Sequence, residues 1–189
     1  MKGKVVTAML QKYNYRHNLT VPLPDDEIVN GQGCGQVAEM RYGFFPMSYN
    51  GCEMIALHNS MVLRGEKSSL REVCLEMYPY CQALSGLFGS NPLLLGFFYK
   101  RRGIPYRMTL RYDDFFDSLD DVKVAVLSFW CPHKPFKGLH TVAVQKADCK
   151  IKIYNRYNNR DYPYIYPSRA ELLPHKSDFI CGYLIEEEK

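Results

Sequence analysis

Cys52 lies in the stretch SYNGCEMIALHNSM, residues 48–61, directly behind an Asn-Gly pair and at the start of a run with helical apolar spacing. A thiol in that position has a chemical use. The first turn of a helix carries partial positive charge and unpaired N–H groups. Such a setting favours a thiolate and stabilises an oxyanion. A nucleophile also needs a base, and the base needs an orienting partner. Of the five histidines, His140 is the one that strand register places. In the hairpin built from LHTVAVQ (139–145) and KIKIYN (150–155), pairing Val144 with Ile151 sets Val142 opposite Ile153 and His140 opposite Asn155. Directly opposite residues hold their Cβ atoms about 4.5–5.5 Å apart, so Asn155 can hold the imidazole. The expected chemistry is acyl transfer: Cys52 attacks a carbonyl carbon, His140 takes the thiol proton and gives it to the leaving amine, and Asn155 fixes the ring.

Competing readings attach to the other reactive residues. Cys74, Cys81, Cys149 and Cys181 read as packing residues, since free cysteine is among the most buried residue types. Seven cysteines without a C-x-x-C spacing signal neither a disulfide framework nor a zinc site. Cys131 and His133 share a strand face at i and i+2, but no second pair of ligands accompanies them, so no metal and no other cofactor is called for. GQGCG (31–35) has the glycines of a phosphate loop but lacks its lysine. His58 lies inside the cysteine helix and reads as a core or half-exposed histidine, and Asn158 is the fallback partner for His140. Basic and aromatic residues interleave in FFYKRRGIPYR and YNRYNNRDYPYIYPSR, a mixture that can stack bases and hold phosphates. The net charge of +4 does not require a nucleic-acid partner.

The elements that must position these groups fall into two halves. Asn50 and Glu53 have capping-box spacing at the start of a helix over 51–64 that stops at Gly65. Ser69 and Glu72 open the next helix, with Leu70, Val73, Cys74 and Met77 on its apolar face. Asn91 and Pro92 open a third helix that ends at Gly103. Strands follow over 104–112, 122–130, 139–145, 150–155 and 179–187, with a short helix capped by Ser168 and Glu171. The stretch QVAEMRYGF (36–44) reads as a further strand. Helices first and an antiparallel sheet last give an α+β fold. The 189 residues suit one domain, a core over 36–186 behind an N-terminal extension over 1–35. No apolar run is long enough for a signal peptide or a membrane span, so the expectation is a cytoplasmic protein with no membrane partner. The oligomeric state is not readable.

The order Cys, His, Asn, with the cysteine on an early helix and the pair on later strands, resembles the papain-like cysteine peptidases. The nearest likeness is to the bacterial bacteriocin-processing (double-glycine leader) peptidase family. YNGCEMIALHNSM resembles that family's cysteine helix, GLHTVAVQ its histidine strand, IKIYN the strand ending in Asp or Asn, and SRAELL with FICGYLI its last helix and strand. The resemblance implies a papain-like fold and hydrolysis of a peptide or related amide bond through a thioester. The catalytic residues would be Cys52, His140 and Asn155. The family's oxyanion glutamine, a few residues before the cysteine, is missing from FFPMSYN, which leaves Asn50 or Gln36 to replace it. Glu53 stands where the family often has glycine, and a carboxylate there raises the thiol pKa. These departures keep open an alternative, a catalytically inactive papain-like module that binds a peptide or protein partner.

Overall fold

Two glycines bracket the helix that opens on Cys52. Gly51 precedes it, and Gly65 ends it in the left-handed region at φ 86°, with its N–H bonded to the carbonyls of Met61 and Val62. In the computed structural model, which describes residues 2–83, 87, 89–132, 137–147 and 149–187, this helix is α3 (Cys52–Arg64). It follows α1 (Lys2–Leu19), a short hairpin of β1 (Arg41–Tyr42) and β2 (Phe45–Pro46), and one turn of helix, α2 (Met47–Asn50). After it come α4 (Leu70–Cys81) and α5 (Gly96–Arg101). The expected boundaries of α3 and the expected start of α4 hold closely. The third expected helix divides into a 3-10 turn over Pro92–Leu94, capped by Asn91, and α5.

The stretch read as a strand over 36–44 is instead a 3-10 turn over Gln36–Glu39 leading into the β1–β2 hairpin. Val37 and Met40, three residues apart, are both buried, and a period of three is that of a 3-10 turn. The expected N-terminal extension is bonded into the core through Asn14 and Asn18. Asn14 donates to the carbonyl of Gly43 at 2.8 Å. Asn18 and the backbone of Arg41 exchange two bonds, at 3.0 and 2.8 Å.

The second half supplies β3 (Tyr106–Thr109), α6 (Tyr112–Asp117), β4 (Val124–Pro132), β5 (Lys137–Ala147), β6 (Lys150–Tyr154), β7 (Tyr164–Tyr166), α7 (Arg169–Leu172) and β8 (Phe179–Ile185). The described residues form a six-stranded antiparallel sheet in the order β3-β8-β4-β5-β6-β7. It is covered on both faces, which is why its central strands read as nearly continuous apolar runs. Val126, Cys181, Tyr183 and Ile185 pack with α3, α4 and α5. Ala125, Leu127, Phe129, Val142, Val144, Ile151 and Ile153 pack on the other side with Phe115 and Phe116 of α6 and Leu172 of α7. The fold is α+β with mixed helix and sheet. Among the described residues no helix is long and apolar enough to cross a membrane.

Register departs from expectation at one hairpin. Val144 pairs with Ile153, not Ile151, and Ala147 pairs with Lys150. The turn lies one residue later than supposed, and Cys149 takes a left-handed φ of 47° in it. A shift of two residues leaves every side chain on its expected face.

Helix α6 rests on the sheet at Gly182. A Cβ there would lie 2.1 Å from Cδ2 of Phe115. Gly182→Ala is therefore expected to cost about 1–3 kcal/mol by overpacking, read as a thermal midpoint lowered by roughly 2–4 °C per kcal/mol.

Candidate functional site

Every residue of α3 from Cys52 to Met61 is buried. Its polar groups therefore need partners inside the protein. Asn59 accepts from the Val29 N–H at 2.9 Å and donates to the Val29 carbonyl at 2.7 Å. Ser60 bonds the Tyr99 hydroxyl at 2.8 Å. His58 lies between the Glu27 carbonyl at 2.8 Å and Ser68 Oγ at 2.9 Å, and burial holds its pKa below the usual histidine value. It is a core histidine, one of the two readings open to it.

At the head of α3, Cys52 is 5% exposed. Its Sγ donates to Glu53 Oε2 at 3.3 Å. On β5 the Thr141 backbone amide faces the sulfur and favours its charged form, but burial, and after it the Glu53 charge, hold the thiol well above the usual range. A helix terminus contributes at most about 2 kcal/mol toward the thiolate. Full burial shifts a group by up to roughly 3–5 pKa units against it, so desolvation wins and the resting sulfur is a neutral thiol. The same burial lifts the Glu53 carboxyl to about 7. Gly89, at φ 70°, roofs the pair: a Cβ there would lie 3.7 Å from both Glu53 Oε2 and Asn50 Oδ1.

His140 is the residue before Thr141, and its Nε2 lies 2.8 Å from the Asn155 carbonyl oxygen. A carbonyl only accepts, so Nε2 carries a hydrogen in this contact. Phe129 meets the ring edge to face at 5.8 Å. Strand alternation puts His140 on the Phe129 face, with Thr141 turned toward α3. Asn155 does hold the imidazole, but through its backbone carbonyl. Its carboxamide is engaged elsewhere: Oδ1 accepts from the Gln32 N–H at 3.0 Å and Nδ2 donates to Gln32 Oε1 at 2.9 Å. With Val142 opposite position 155 under the observed pairing, His140 and Asn155 are diagonal neighbours.

The two expected oxyanion donors differ in their surroundings. Asn50 is not the cap of α3. It ends α2, and its Nδ2 donates to the Tyr42 carbonyl at 3.2 Å. Gln36 is exposed on its 3-10 turn and lines a cavity of about 400 Å³ together with Asn30 and Asp161. A third amide, Gln32, is joined to Asn155, and its Nε2 donates to the Ser48 carbonyl at 2.9 Å. Its signal was the glycines around it. Gly33 donates to the Asn158 carbonyl at 2.8 Å, and a Cβ on Gly31 would lie 2.7 Å from the Arg160 carbonyl oxygen. GQGCG is thus a turn pressed against residues 155–160, with no room for a Cβ at Gly31 and little at Gly33.

Cys131 is buried and accepts from Arg156 Nη1 at 3.3 Å, while His133 lies outside the described residues. No group of three metal-ligating side chains occurs among the described residues. Tyr157, Tyr162 and Tyr164 pack on one another, with ring centroids 4.7 and 5.2 Å apart. No protein-family model and no curated protein matches this chain.

Two outcomes test this geometry. Asn155 holds a left-handed φ of 58°, and Asn155→Ala strains that angle and leaves the Gln32 N–H unpaired. A loss of about 1–3 kcal/mol is expected, and a smaller loss for Asn155→Gly, which keeps the angle, both read by urea denaturation. Glu53 titrates near 7 when folded against an ordinary 4.5. Its contribution to stability is complete below pH 4.5 and is lost as pH rises through 7. The size is on the order of 3 kcal/mol. Urea midpoints between pH 4.5 and 8 should show that fall in the native protein and a flatter profile in Glu53→Gln.

Proposed function

We propose that this protein is a cysteine-nucleophile hydrolase of papain-like fold, cleaving a peptide or related amide bond through a thioester on Cys52. One observation carries the reading. The sulfur at the head of α3 faces the backbone of Thr141, and the preceding residue is a histidine whose Nε2 donates to the Asn155 carbonyl. What supports the reading is that the thiol and the histidine come to adjacent residues of β5, the sulfur at the Thr141 backbone and the imidazole one residue earlier on the Phe129 face; attack with His140 as base requires that ring to swing toward α3.

In this reading Cys52 attacks the carbonyl carbon, its S–H proton passes to a neighbouring base and from there to the nitrogen, and the amine leaves as the C–N bond breaks. His140 takes a proton from the water that hydrolyses the thioester and returns it to the sulfur. The backbone N–H of Cys52 serves the oxyanion, joined by the amide of Gln32 or Asn50. Acyl transfer to an amine uses the same thioester. The second reading, an inactive module that binds a peptide or protein, is favoured by the buried neutral thiol and by the engaged Asn155 carboxamide.

An epoxide inhibitor of papain-type peptidases separates the two. The expected result is one adduct per chain, located on Cys52 by peptide mass spectrometry and absent in Cys52→Ser. His140→Ala should reduce turnover of a peptide substrate by about 10²–10⁴-fold. Adducts confined to the more open Cys34 and Cys149, or no adduct at all, would leave the binding module as the better account.

A further inference from the structure

The thiol of Cys52 points its hydrogen at a carboxyl oxygen. Glu53 Oε2 lies 3.3 Å from the sulfur, and the Glu53 side chain is enclosed, with the residue 1% exposed. A buried carboxyl is costly unless it serves packing or chemistry. No cation is among the causes that set its charge state, which are burial, its own backbone N–H and the Cys52 thiol.

We infer that the Glu53 carboxylate is the proton acceptor for the Cys52 thiol. The inference rests on the reading of Cys52 as nucleophile and adds a second acid–base group to it. As sulfur bonds to the carbonyl carbon, the S–H bond breaks and its proton passes to Glu53 Oε2, while the carbonyl π pair moves to oxygen. When the tetrahedral species collapses, the C–N bond breaks and the Glu53 carboxyl gives that proton to the leaving amine. The half-reaction ends with a thioester, a free amine and a carboxylate, and no outside acid or base is consumed. His140 is then left for the hydrolytic half.

The groups around the pair agree with this role. From α4, burial, with a smaller push from the Glu53 charge, holds the Cys81 thiol up at about 11. Behind it, the Tyr42 hydroxyl of β1 bonds Cys81 at 3.6 Å, and burial raises that phenol too. Neither competes for the Cys52 proton near neutrality. From α2 comes Asn50, an uncharged amide, and from β5 the uncharged Thr141 amide. Within the pair, Glu53 at about 7 is the group poised to change charge near neutral pH.

The test is the rate of iodoacetamide alkylation at Cys52 against pH, followed by peptide mass spectrometry in the full chain and in Glu53→Gln, Glu53→Asp and His140→Gln. A carboxylate that merely repels the thiolate predicts faster alkylation when the charge is removed. A carboxylate that accepts the proton predicts the reverse. The expected result is a rise in rate near pH 7 followed by a plateau in the native protein. Glu53→Gln should lose that rise and react at least tenfold more slowly at pH 7. Glu53→Asp, which keeps the charge but draws it back from the sulfur, should also slow. His140→Gln should keep the rise. Glu53→Gln reacting as fast as the native protein, or faster, overturns the base role while leaving Cys52 as nucleophile. No adduct at Cys52 in any of the four proteins overturns both.

Discussion

The complete burial of α3 over ten consecutive residues constrains the rest of the molecule. Such a helix has no solvent face, so the surrounding elements are selected for what they return to its polar side chains. The segment around Val29 exists in its present path because Asn59 bonds it twice. Glu27 and Ser68 are brought together by the two nitrogens of His58. The sheet on one side and α4 on the other complete the enclosure. Enclosure that deep is what changes the chemistry of Cys52. A helix start alone is a mild activating device, and its effect is overridden when water is excluded.

Much of this frame can be read from residue types. The glycine at 65, the apolar face of α4 and the alternation along β5 and β6 are local signals, and local signals survive folding. The capping box at Ser168 is a case in point: its Oγ accepts from the Glu171 N–H at 3.3 Å. The similar spacing at Asn50 misleads, because α2 reaches Asn50 and a carbonyl on β1 claims its amide. Helix α6 and strand β7 were not foreseen. YDDFFD is too short to show a helical period, and its helix depends on Phe115 finding Gly182 in the sheet, a contact no window of sequence contains. The hairpin register failed by two residues for a related reason. Apolar alternation fixes the face of a strand but not its offset, and the offset was decided by the left-handed residue at Cys149.

Of the candidate site, the closeness of His140 to Asn155 was legible in the sequence and the contacts they make were not. His140 and Asn155 do meet, yet by imidazole and backbone carbonyl. The carboxamide that the spacing assigned to the ring is used to fasten residues 30–32 to the end of β6. Asn30 completes that join by accepting from the Asn155 N–H at 2.8 Å. Asparagine suits the position twice over, since it tolerates the left-handed backbone and reaches Gln32 with both ends of its amide. One residue thereby ends a strand, seats the N-terminal segment and orients the histidine.

An ion pair between thiolate and imidazolium would put two charges into a space from which water has been removed, and the cost of desolvating both is several kcal/mol per ion unless their geometry compensates. A thiol and a carboxylate sharing one proton carry a single negative charge whichever atom holds it. Burial then penalises the two forms nearly alike. It raises the sulfur and the carboxyl together, as it does here, and the proton's position depends on the difference between them. Groups coupled this closely titrate as a unit, so a high pKa for the thiol taken alone does not measure how readily sulfur is freed. What measures it is the distance from sulfur to Glu53 Oε2 and the absence of any cation among the groups that set the carboxyl's charge.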